Sequence, residues 1–317
     1  MAAMLAILAT IGIDASYWAA LRQVDTRMAT IAYRLATTNV ALCRDRQPAL
    51  GLQLHAIDQY DRDSQAGARA AFGFARPVQV EAVAPGSPAA AAGVQADDAL
   101  LAVDDVPVAG AGAKGGTSVT RDAAQSLLAA RTPDAPVRLA LEQAGTRLTV
   151  TIAASPGCRA AFEVLLGPGL KASSDGRVVQ VGAAFFERFD DEAVAAVVAH
   201  ELSHAILNHR VRLEAAGVKW GLLKQIGRNA RLFRRTEEDA DRLSVHLLRN
   251  AGYDPQAAVR FWREQGGKID GGPFRSATHP SAKARAAAIA AEVATLPPAG
   301  APDAAPAVLA TRDQPLD

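Results

Sequence analysis

The segment that most constrains this chain is an apolar run, 194–206, which contains two histidines four residues apart. Residues 200–204 read His-Glu-Leu-Ser-His. In an α-helix, residues i and i+4 lie on one face, one turn apart, so both imidazoles can reach a single metal ion. Glu201 lies about 100° further around the helix, beside the metal, where a base for a bound water is needed. The pattern predicts a helix from Asp190 to Arg210 with His200 and His204 as zinc ligands and Glu201 as the catalytic base.

A catalytic zinc site also requires a third protein ligand and one open position. Residues 235–241 read Arg-Thr-Glu-Glu-Asp-Ala-Asp, which puts Glu237 and Asp241 on one face of a second predicted helix, Thr236–Asn250. We expect Glu237 to bind the metal and Asp241 to support a ligand histidine through a hydrogen bond. The set predicts one Zn²⁺ per chain.

Two further residues near these motifs are considered as possible metal ligands. Glu238 is an alternative third ligand, because it directly follows Glu237. His209 lies five residues after His204 and therefore off the ligand face, so it is interpreted as a neighbour of the site only.

The stretch from Phe72 to about Ala153 alternates short strands with turns. It resembles a PDZ domain, and three segments carry the resemblance: Ala71-Phe72-Gly73-Phe74, Val83-Ala84-Pro85-Gly86-Ser87-Pro88-Ala89 and Ala92-Gly93-Val94-Gln95-Ala96-Asp97-Asp98. The resemblance implies that a peptide strand adds to the sheet edge, with its carboxylate held by backbone N–H groups of Phe72, Gly73 and Phe74. The alternative is a PDZ-shaped spacer that binds no peptide.

The metal-binding motifs resemble those of the M48 family of metallopeptidases. That family pairs His-Glu-x-x-His with a downstream Glu-x-x-x-Asp, here Glu237 and Asp241, and with a later His-Pro and arginine, here His279-Pro280 and Arg285. The resemblance implies that His279 and Arg285 line the site, His279 as a donor or at the open zinc position. An ordinary helix start at residues 279–281 is the alternative. Lys171 stands where the family has an asparagine in the edge strand before the motif helix.

These observations predict an α+β chain. The expected architecture is a mainly helical, zincin-type (gluzincin) metalloprotease domain with a small β-rich PDZ-like domain inserted after an N-terminal helix. The predicted boundaries are 1–15 for a signal or anchor segment, 16–71 for an N-terminal helical region, 72–153 for the PDZ-like domain, 158–296 for the protease domain and 297–317 for a disordered tail.

The cysteines and the N-terminus give indications of the cellular compartment in which the protein resides. Cys43 and Cys158 flank the PDZ-like segment, and a disulfide between them would require an oxidising environment; two buried free thiols are the alternative. The apolar run from Ala2 to Ile13 has the length of a signal-peptide core but is too short to span a bilayer. A buried helical turn would explain it equally. We therefore expect a periplasmic or cell-envelope protein of a bacterium, with membrane anchoring as a variant of that expectation.

Charge excludes one class of partner and leaves another open. The formal net charge of +1 predicts no nucleic-acid role. Residues 210–235, however, contain eight basic residues and one acidic residue, with apolar residues interleaved. Such a segment fits contact with an anionic membrane surface, a lid over the cleft, or a solvated helix face.

The leading functional hypothesis is a cell-envelope zinc endopeptidase for quality control, whose PDZ domain recruits unfolded or misassembled protein and peptide substrates. Two other classes remain. One is a non-proteolytic PDZ binding protein with a latent or structural zinc site, and the other is a chaperone-like assembly factor. A free Glu201 beside the ligands favours the enzyme, because structural zinc sites rarely leave such a carboxylate unliganded.

Overall fold

The computed structural model describes residues 2–112, 114–218, 227–269, 279–298 and 305–316, with only the backbone described for 2–14, 268 and 269. The chain divides into two compact units. Unit 1 comprises Met1–Tyr33 and Arg46–Gly157, and unit 2 comprises Arg34–Asp45 and Cys158–Asp317. The protein is thus a two-unit chain in which each unit is built from two separate stretches of sequence.

Unit 1 combines a long N-terminal helix with a small β-rich domain. Its elements are α1 (Ala2–Thr38, of which the part up to Tyr33 belongs to this unit), β1 (Arg46–Ala49), β2 (Leu52–Ala56), α2 (Gln65–Phe72), β3 (Val78–Val83), α3 (Pro88–Ala91), β4 (Ala99–Val103), β5 (Val106–Pro107), α4 (Val119–Ala129), β6 (Val137–Gln143), β7 (Thr146–Ile152) and β8 (Ser155–Cys158). Among the described residues, no helix has both the length and the apolar character needed to cross a bilayer.

A six-stranded antiparallel sheet forms the core of unit 1. Its order is β2-β3-β4-β6-β7, with β5 paired to β4, and β1 pairs separately with β8. Strand β6 shows why this sequence forms a half-buried strand: Val137, Leu139 and Leu141 are buried, whereas Arg138 between them is exposed. The β6–β7 hairpin turns at Ala144 and Gly145, which both have positive φ, as the tight hairpin turn of this twist requires.

The structure differs from the sequence prediction in the N-terminal part of unit 1. A helical region was expected over 16–71, but α1 ends at Thr38 and residues 46–49 and 52–56 are strands. The five-residue stretch Leu52–Ala56 is stabilised by antiparallel pairing with β3, which lies beyond α2 in the chain. Because β2 is part of the same sheet, the PDZ-like fold begins before the predicted boundary at 72.

Unit 2 is mainly helical and carries a small sheet. Its elements are β9 (Ala161–Leu165), β10 (Ala172–Ser174), β11 (Val178–Gly182), α5 (Ala183–Arg188), α6 (Asp191–Ile206), α7 (His209–Ala215), α8 (Gly227–Asn250), α9 (Gln256–Ile269), α10 (Ala282–Val293) and a 3₁₀ helix (Ala307–Thr311). The sheet order is β10-β11-β9, and β11 pairs in parallel with β9 and antiparallel with β10. Helix α6 packs against α8 and α9, and α10 packs against both α8 and α9. The predicted α+β class is confirmed.

The predicted helix Asp190–Arg210 is two helices. Asp190 caps α6 by accepting a hydrogen bond from Ala193 N at 2.9 Å. Asn208 then adopts a left-handed conformation with φ of 55° and separates α6 from α7. Asparagine is among the few residues other than glycine that take this conformation readily. Helix α8 is longer than predicted, because it starts at Gly227 rather than at Thr236.

A disulfide joins Cys43 to Cys158 in unit 2, as predicted from the sequence. Asn39 lies beside it and is fully buried. Its side chain donates to Leu247 O at 3.1 Å and accepts from Asn250 Nδ2 at 3.0 Å. The segment 34–45 is therefore attached to the C-terminal end of α8 by hydrogen bonds as well as to Cys158 by a covalent bond.

Part of the predicted disordered tail has a defined structure. Residues 305–316 include the 3₁₀ helix, and Val308 and Leu316 are buried. Gln314 O accepts a hydrogen bond from Arg212 Nε at 3.0 Å. The prediction of disorder over 297–317 therefore does not hold for residues 305–316, which are attached by two buried apolar side chains and by hydrogen bonds such as the one from Arg312 Nη1 to Leu42 O. Residues 299–304 and 317 lie outside the described part.

Candidate metal centre and substrate cleft

Helix α6 presents its two histidines to the same point. The helix is buried along most of its length, so its rotation about its axis is fixed by packing. His200 and His204 follow one another after one turn, and their Nε2 atoms are 3.2 Å apart. Two imidazole nitrogens at this separation, on a rigid helix, can serve one ion between them.

Helix α8 supplies the third donor. Glu237 Oε2 is 3.3 Å from His200 Nε2, and Glu237 Oε1 is 3.6 Å from His204 Nε2. Ligand atoms of His200, His204 and Glu237 all lie within 4.8 Å of one another. Glu238, the alternative ligand, is exposed on another side of α8. The structure therefore brings together the three residues that the spacing of the two motifs singles out.

The donor set fits zinc by its chemistry and by its spacing. Two histidines and one carboxylate are a ligand combination of catalytic zinc sites. Ligands bonded at about 2.0–2.1 Å in a tetrahedron lie about 3.3 Å from one another. The three measured donor separations, from 3.2 to 3.6 Å, are close to that value. One tetrahedral ion therefore fits between these atoms with its fourth position open.

A chain of buried polar side chains holds His200 in place. Asp241 Oδ1 accepts from His200 Nδ1 at 3.0 Å, which leaves Nε2 for the metal. Arg285 in turn donates to both oxygens of Asp241, through Nε at 2.8 Å and Nη2 at 2.6 Å. The guanidinium group lies over the ring of Trp262, 3.7 Å from its centroid. Arg285 thus anchors the carboxylate that orients the histidine. It also lines the cavity, as the resemblance implies, with Nη2 3.2 Å from His200 Nδ1 and Nη1 3.7 Å from Glu237 Oε2.

His204 has an equivalent support that the sequence interpretation missed. Its Nδ1 is 2.9 Å from Nδ1 of His209, and His209 is buried. Because Nε2 of His204 faces the metal position, its Nδ1 carries the proton and donates to His209. Burial holds the pKa of His209 well below its usual range, so this ring stays a neutral acceptor. His209 therefore orients a ligand rather than merely lying nearby.

Glu201 is buried next to this donor set. Burial raises the pKa of Glu201 to about 7, although the adjacent His200 opposes the shift. Burial lowers the pKa of His204 to about 4, which favours the neutral, metal-binding form. Burial and Arg285 would lower the pKa of His200, but hydrogen bonds to Asp241 and Glu237 raise it to about 9. A carboxyl group with a pKa near neutrality can both accept and release a proton at physiological pH.

A cavity of about 510 Å³ opens onto the donor set. Its lining combines the polar metal-site residues with apolar side chains, among them Phe185, Phe261, Trp262 and Ile289. Strand β10, preceded by Lys171, borders the cavity and ends the sheet order, so its outer edge pairs with no other described strand. His279, just before α10, is partly exposed at this cavity, and its Nε2 is 3.6 Å from Glu237 Oε2.

The predicted carboxylate-binding loop in unit 1 is wrong. Phe72 and Phe74 are buried in an aromatic cluster, and the N–H of Gly73 caps α2 by bonding to Arg69 O at 2.9 Å. Moreover, β3, the strand that follows this loop, pairs with β2 on one side and β4 on the other, so no strand can be added to it.

Strand β2, which directly follows Leu50 and Gly51, lies at one end of the strand order, and its outer edge pairs with no other described strand. Gly51 has φ of 77°, and a Cβ placed there would lie 2.1 Å from Ser87 Cβ, so only glycine fits. Helix α4 packs alongside β2. The Leu-Gly-Leu sequence at 50–52 is the signal that could have indicated this site, but it lies within the segment that was interpreted as helix.

Comparison with protein families gives two matches along the chain. Residues 79–143 match the family model of a PDZ domain, and residues 216–293 match the model of peptidase family M48. The second match includes Glu237, Asp241, His279 and Arg285, whereas the two α6 histidines precede it. No curated protein matches the chain. The two matches lie in different units, one in the β-rich unit and one in the unit that holds the metal donor set.

Proposed function

Because the chain is an M48-family metallopeptidase that also carries a PDZ domain, we propose that it is a zinc-dependent endopeptidase acting on extended polypeptides. One observation carries the proposal: two imidazole nitrogens and one carboxylate meet at tetrahedral spacing, and Glu201 lies buried beside them outside the donor set. A site that only stored or structurally bound zinc would not need a free carboxylate there.

The cleft accepts its substrate as a strand. The unpaired outer edge of β10 offers backbone N–H and C=O groups along the cavity, so an extended peptide can pair with it and cross the donor set. The apolar residues that line the cavity can then contact a large apolar side chain next to the cleaved bond. Such segments are accessible in unfolded or misassembled proteins and buried in folded ones, which supports quality control as the role.

Glu201 carries out the proton transfers of the reaction. A bound zinc ion would polarise the scissile carbonyl and lower the pKa of a coordinated water. Glu201 accepts one proton as the water oxygen bonds to the carbonyl carbon, and then delivers it to the amine nitrogen as the C–N bond breaks. Its buried position keeps this proton from exchanging with solvent between the two steps.

His279 and Arg285 have different tasks at the donor set, although both lie near Glu237 Oε2. His279 faces the cavity near Glu237 and can donate a hydrogen bond to the oxygen of the carbonyl under attack. Arg285 is buried against Asp241 and Trp262, so its task is to hold Asp241, and through it His200, in the metal-binding orientation.

The PDZ domain recruits substrates through the free edge of β2. A peptide C-terminus pairing with that edge would bring its carboxylate to the backbone N–H groups of the turn at residues 50–52. The carbonyls of Leu50 and Gly51 are already bonded to Ala89 N and Ala84 N, which fixes the orientation of this turn.

The proposed location is the bacterial cell envelope, in the periplasm. The Cys43–Cys158 disulfide supports this location, because such bonds persist in oxidising compartments and are rare in the cytosol.

A protease assay on a reduced, denatured protein tests the proposal. The purified chain, loaded with zinc, should degrade that substrate and leave the same protein in its folded form intact. A chelator should stop cleavage, and added zinc should restore it. Suppression of aggregation without cleavage, unaffected by the chelator, would instead identify a chaperone-like factor.

A further inference from the structure

The outer face of α8, away from the metal donors, has a concentration of arginines. Arg231, Arg234, Arg235 and Arg242 line an open cavity of about 580 Å³, whose other wall is the 3₁₀ helix with Ala307, Val308 and Thr311. Two acidic residues, Glu238 and Asp239, also line it. The tail that forms this wall is attached to the rest of unit 2 by its buried Val308 and Leu316.

Three of these arginines form no hydrogen bond or salt bridge within the described part of the chain, although Arg242 is close enough to Asp239 to lower the pKa of that carboxyl. No hydrogen bond or salt bridge joins Arg231, Arg234 or Arg242 to another described residue. Glu238 has helical spacing to both Arg234 and Arg242, yet it pairs with neither among the described residues. The guanidinium groups therefore face the cavity instead of forming the ion pairs that the helix offers.

This arrangement is unfavourable for the helix alone. Arg231 stands three residues before Arg234 and four before Arg235, and like charges at these spacings destabilise a helix. Glu238 and Asp239 reduce the repulsion only in part, because two carboxylates line the cavity together with four guanidinium groups. An anion in the cavity would remove the repulsion and use the unpaired N–H groups.

Behind the cavity lies a buried cation. Arg212 on α7 is 6% exposed, and its two terminal nitrogens have no hydrogen-bond partner among the described residues. Asp239 and Arg235, which line the cavity, are close enough to Arg212 to influence its pKa. Arg212 does not line the cavity itself, so it adds positive charge close to the site without being a contact of an anion bound there.

We propose that the arginine cavity on α8 binds a phosphate group of an anionic lipid headgroup. Guanidinium groups match phosphate in charge and in hydrogen-bond geometry. A lipid is favoured over free phosphate by the sequence that leads into α8: residues 219–226 contain Trp220, Leu222, Leu223 and Ile226 among basic residues, a composition typical of segments that lie on membranes. These residues lie outside the described part and enter the argument by sequence alone. The site lies apart from the peptidase cleft and does not depend on the proposed reaction.

Vesicle flotation with the full chain tests the proposal. The protein should bind vesicles containing phosphatidylglycerol and not vesicles of phosphatidylcholine alone, with weaker binding at high salt. The double variant Arg231→Gln/Arg234→Gln should bind about 30-fold more weakly, as expected for two basic residues at an anionic surface. The matched control Arg188→Gln/Arg263→Gln removes the same charge from exposed positions elsewhere in unit 2 and should change affinity less than about threefold.

A parallel titration with inorganic phosphate, followed by thermal unfolding, distinguishes the two sources of the anion. Unfolding temperatures equal to that of the wild type, measured without phosphate, establish that both double variants are folded. Three results would each overturn the lipid assignment. The first is no preference for phosphatidylglycerol vesicles, and the second is an equal loss of vesicle affinity in the control variant. The third is stabilisation by free phosphate without vesicle binding.

Discussion

Glu201 is buried beside His200 and His204 yet lies outside the donor set that these histidines form with Glu237. This position defines the first prediction. Glu201→Gln keeps the shape of the side chain but removes the proton acceptor, so zinc content should remain one per chain while peptide cleavage falls about 10⁴-fold. Metal analysis and a cleavage assay on the same sample measure both quantities. Loss of zinc together with activity would make Glu201 a ligand instead of a base.

The second prediction compares two adjacent glutamates. Glu237→Ala removes an oxygen donor that lies 3.3 Å from His200 Nε2, so zinc affinity should fall by more than about 100-fold. Glu238→Ala is the matched control, because this exposed side chain faces the arginine cavity and should leave zinc affinity unchanged. Competition with a chromogenic chelator gives both affinities. A reversed order would move the ligand by one residue.

The spacing of the two motifs was sufficient to predict which residues meet at the metal site, but not how they are supported. His209 was discounted because five residues separate it from His204, which places it off the ligand face of a continuous helix. The left-handed conformation of Asn208 ends that helix and allows the two Nδ1 atoms to approach to 2.9 Å. Trp262 was missed for a different reason: nothing in the sequence of α9 indicates that it contacts Arg285 of α10.

At the scale of elements, β2 shows the limit of local patterns. Its five residues are too few to establish an alternation, and it follows a helix of 37 residues. What makes it a strand is its pairing with β3, which lies beyond the inserted helix α2. The sheet strands from β3 onward were predictable because turn residues separate them at short intervals. A pairing across an insertion leaves no such local signal.

Helix α1 contacts this sheet through a buried acidic pair, which leads to the third prediction. Burial raises the pKa of Asp25 on α1, and a hydrogen bond with Glu81 on β3 raises it further. The folded protein therefore keeps a proton that the unfolded chain releases near pH 4. Stability contributed by this proton is present at low pH and is lost as the pH rises, by up to about 1.4 kcal/mol per pH unit.

Asp25→Asn retains a hydrogen-bond donor to Glu81 and cannot ionise. Relative to the wild type, this variant should gain stability progressively as the pH rises from 4 to 7 and should show little difference at pH 4. Urea unfolding at each pH measures the difference. Asp134→Asn, at an exposed position, is the control and should follow the wild type throughout. A variant that loses stability at pH 7 would mean that Asp25 is ionised in the folded protein.

At the scale of the whole molecule, the disulfide gives the fourth prediction. There are 114 residues between Cys43 and Cys158, and a flexible loop of that length corresponds to about 4.7 kcal/mol of stabilisation. The loop is not flexible, however, because β1 and β8 pair next to the two cysteines. If unit 1 stays folded while unit 2 unfolds, the effective loop is only a few residues long. Cys43→Ser/Cys158→Ser should therefore lower the stability of unit 2 by only about 2–3 kcal/mol.

Chemical unfolding of this variant, monitored separately for the two units, tests the expectation. The wild type treated with reductant serves as the control and should reproduce the variant. A loss close to the full-length loop value would show that the two units unfold together.

The fifth prediction is that unit 2 cleaves peptides on its own and that unit 1 only recruits protein substrates. The variant for this test is unit 2 alone: it begins at Arg34, and a short Gly-Ser linker joins Asp45 to Cys158. This variant should cleave short peptides at the rate of the full chain. Cleavage of unfolded proteins with a free C-terminus should slow, because the β2 edge is missing. Substrates with an amidated C-terminus serve as the control and should be cleaved equally by both forms. Equal rates on all substrates would reduce unit 1 to a spacer.

The order of domains was predictable, because turn-rich and helical segments alternate visibly along the sequence. Which residues belong to which unit was not predictable. Local sequence assigns neither residues 34–45 to unit 2 nor residues 46–71 to unit 1. Both depend on contacts between residues that are far apart in the chain, such as the hydrogen bonds from Asn39 to the end of α8.

Asp45 O accepts a hydrogen bond from Arg159 N at 2.9 Å, so the backbone of unit 2 leaves and returns at one place. An insertion whose two ends are neighbours leaves the path of its host chain unchanged. In evolution, such a segment can be acquired, lost or exchanged for another by recombination at a single position in the coding sequence. The inserted stretch 46–157 and the unit that hosts it can therefore change independently of one another.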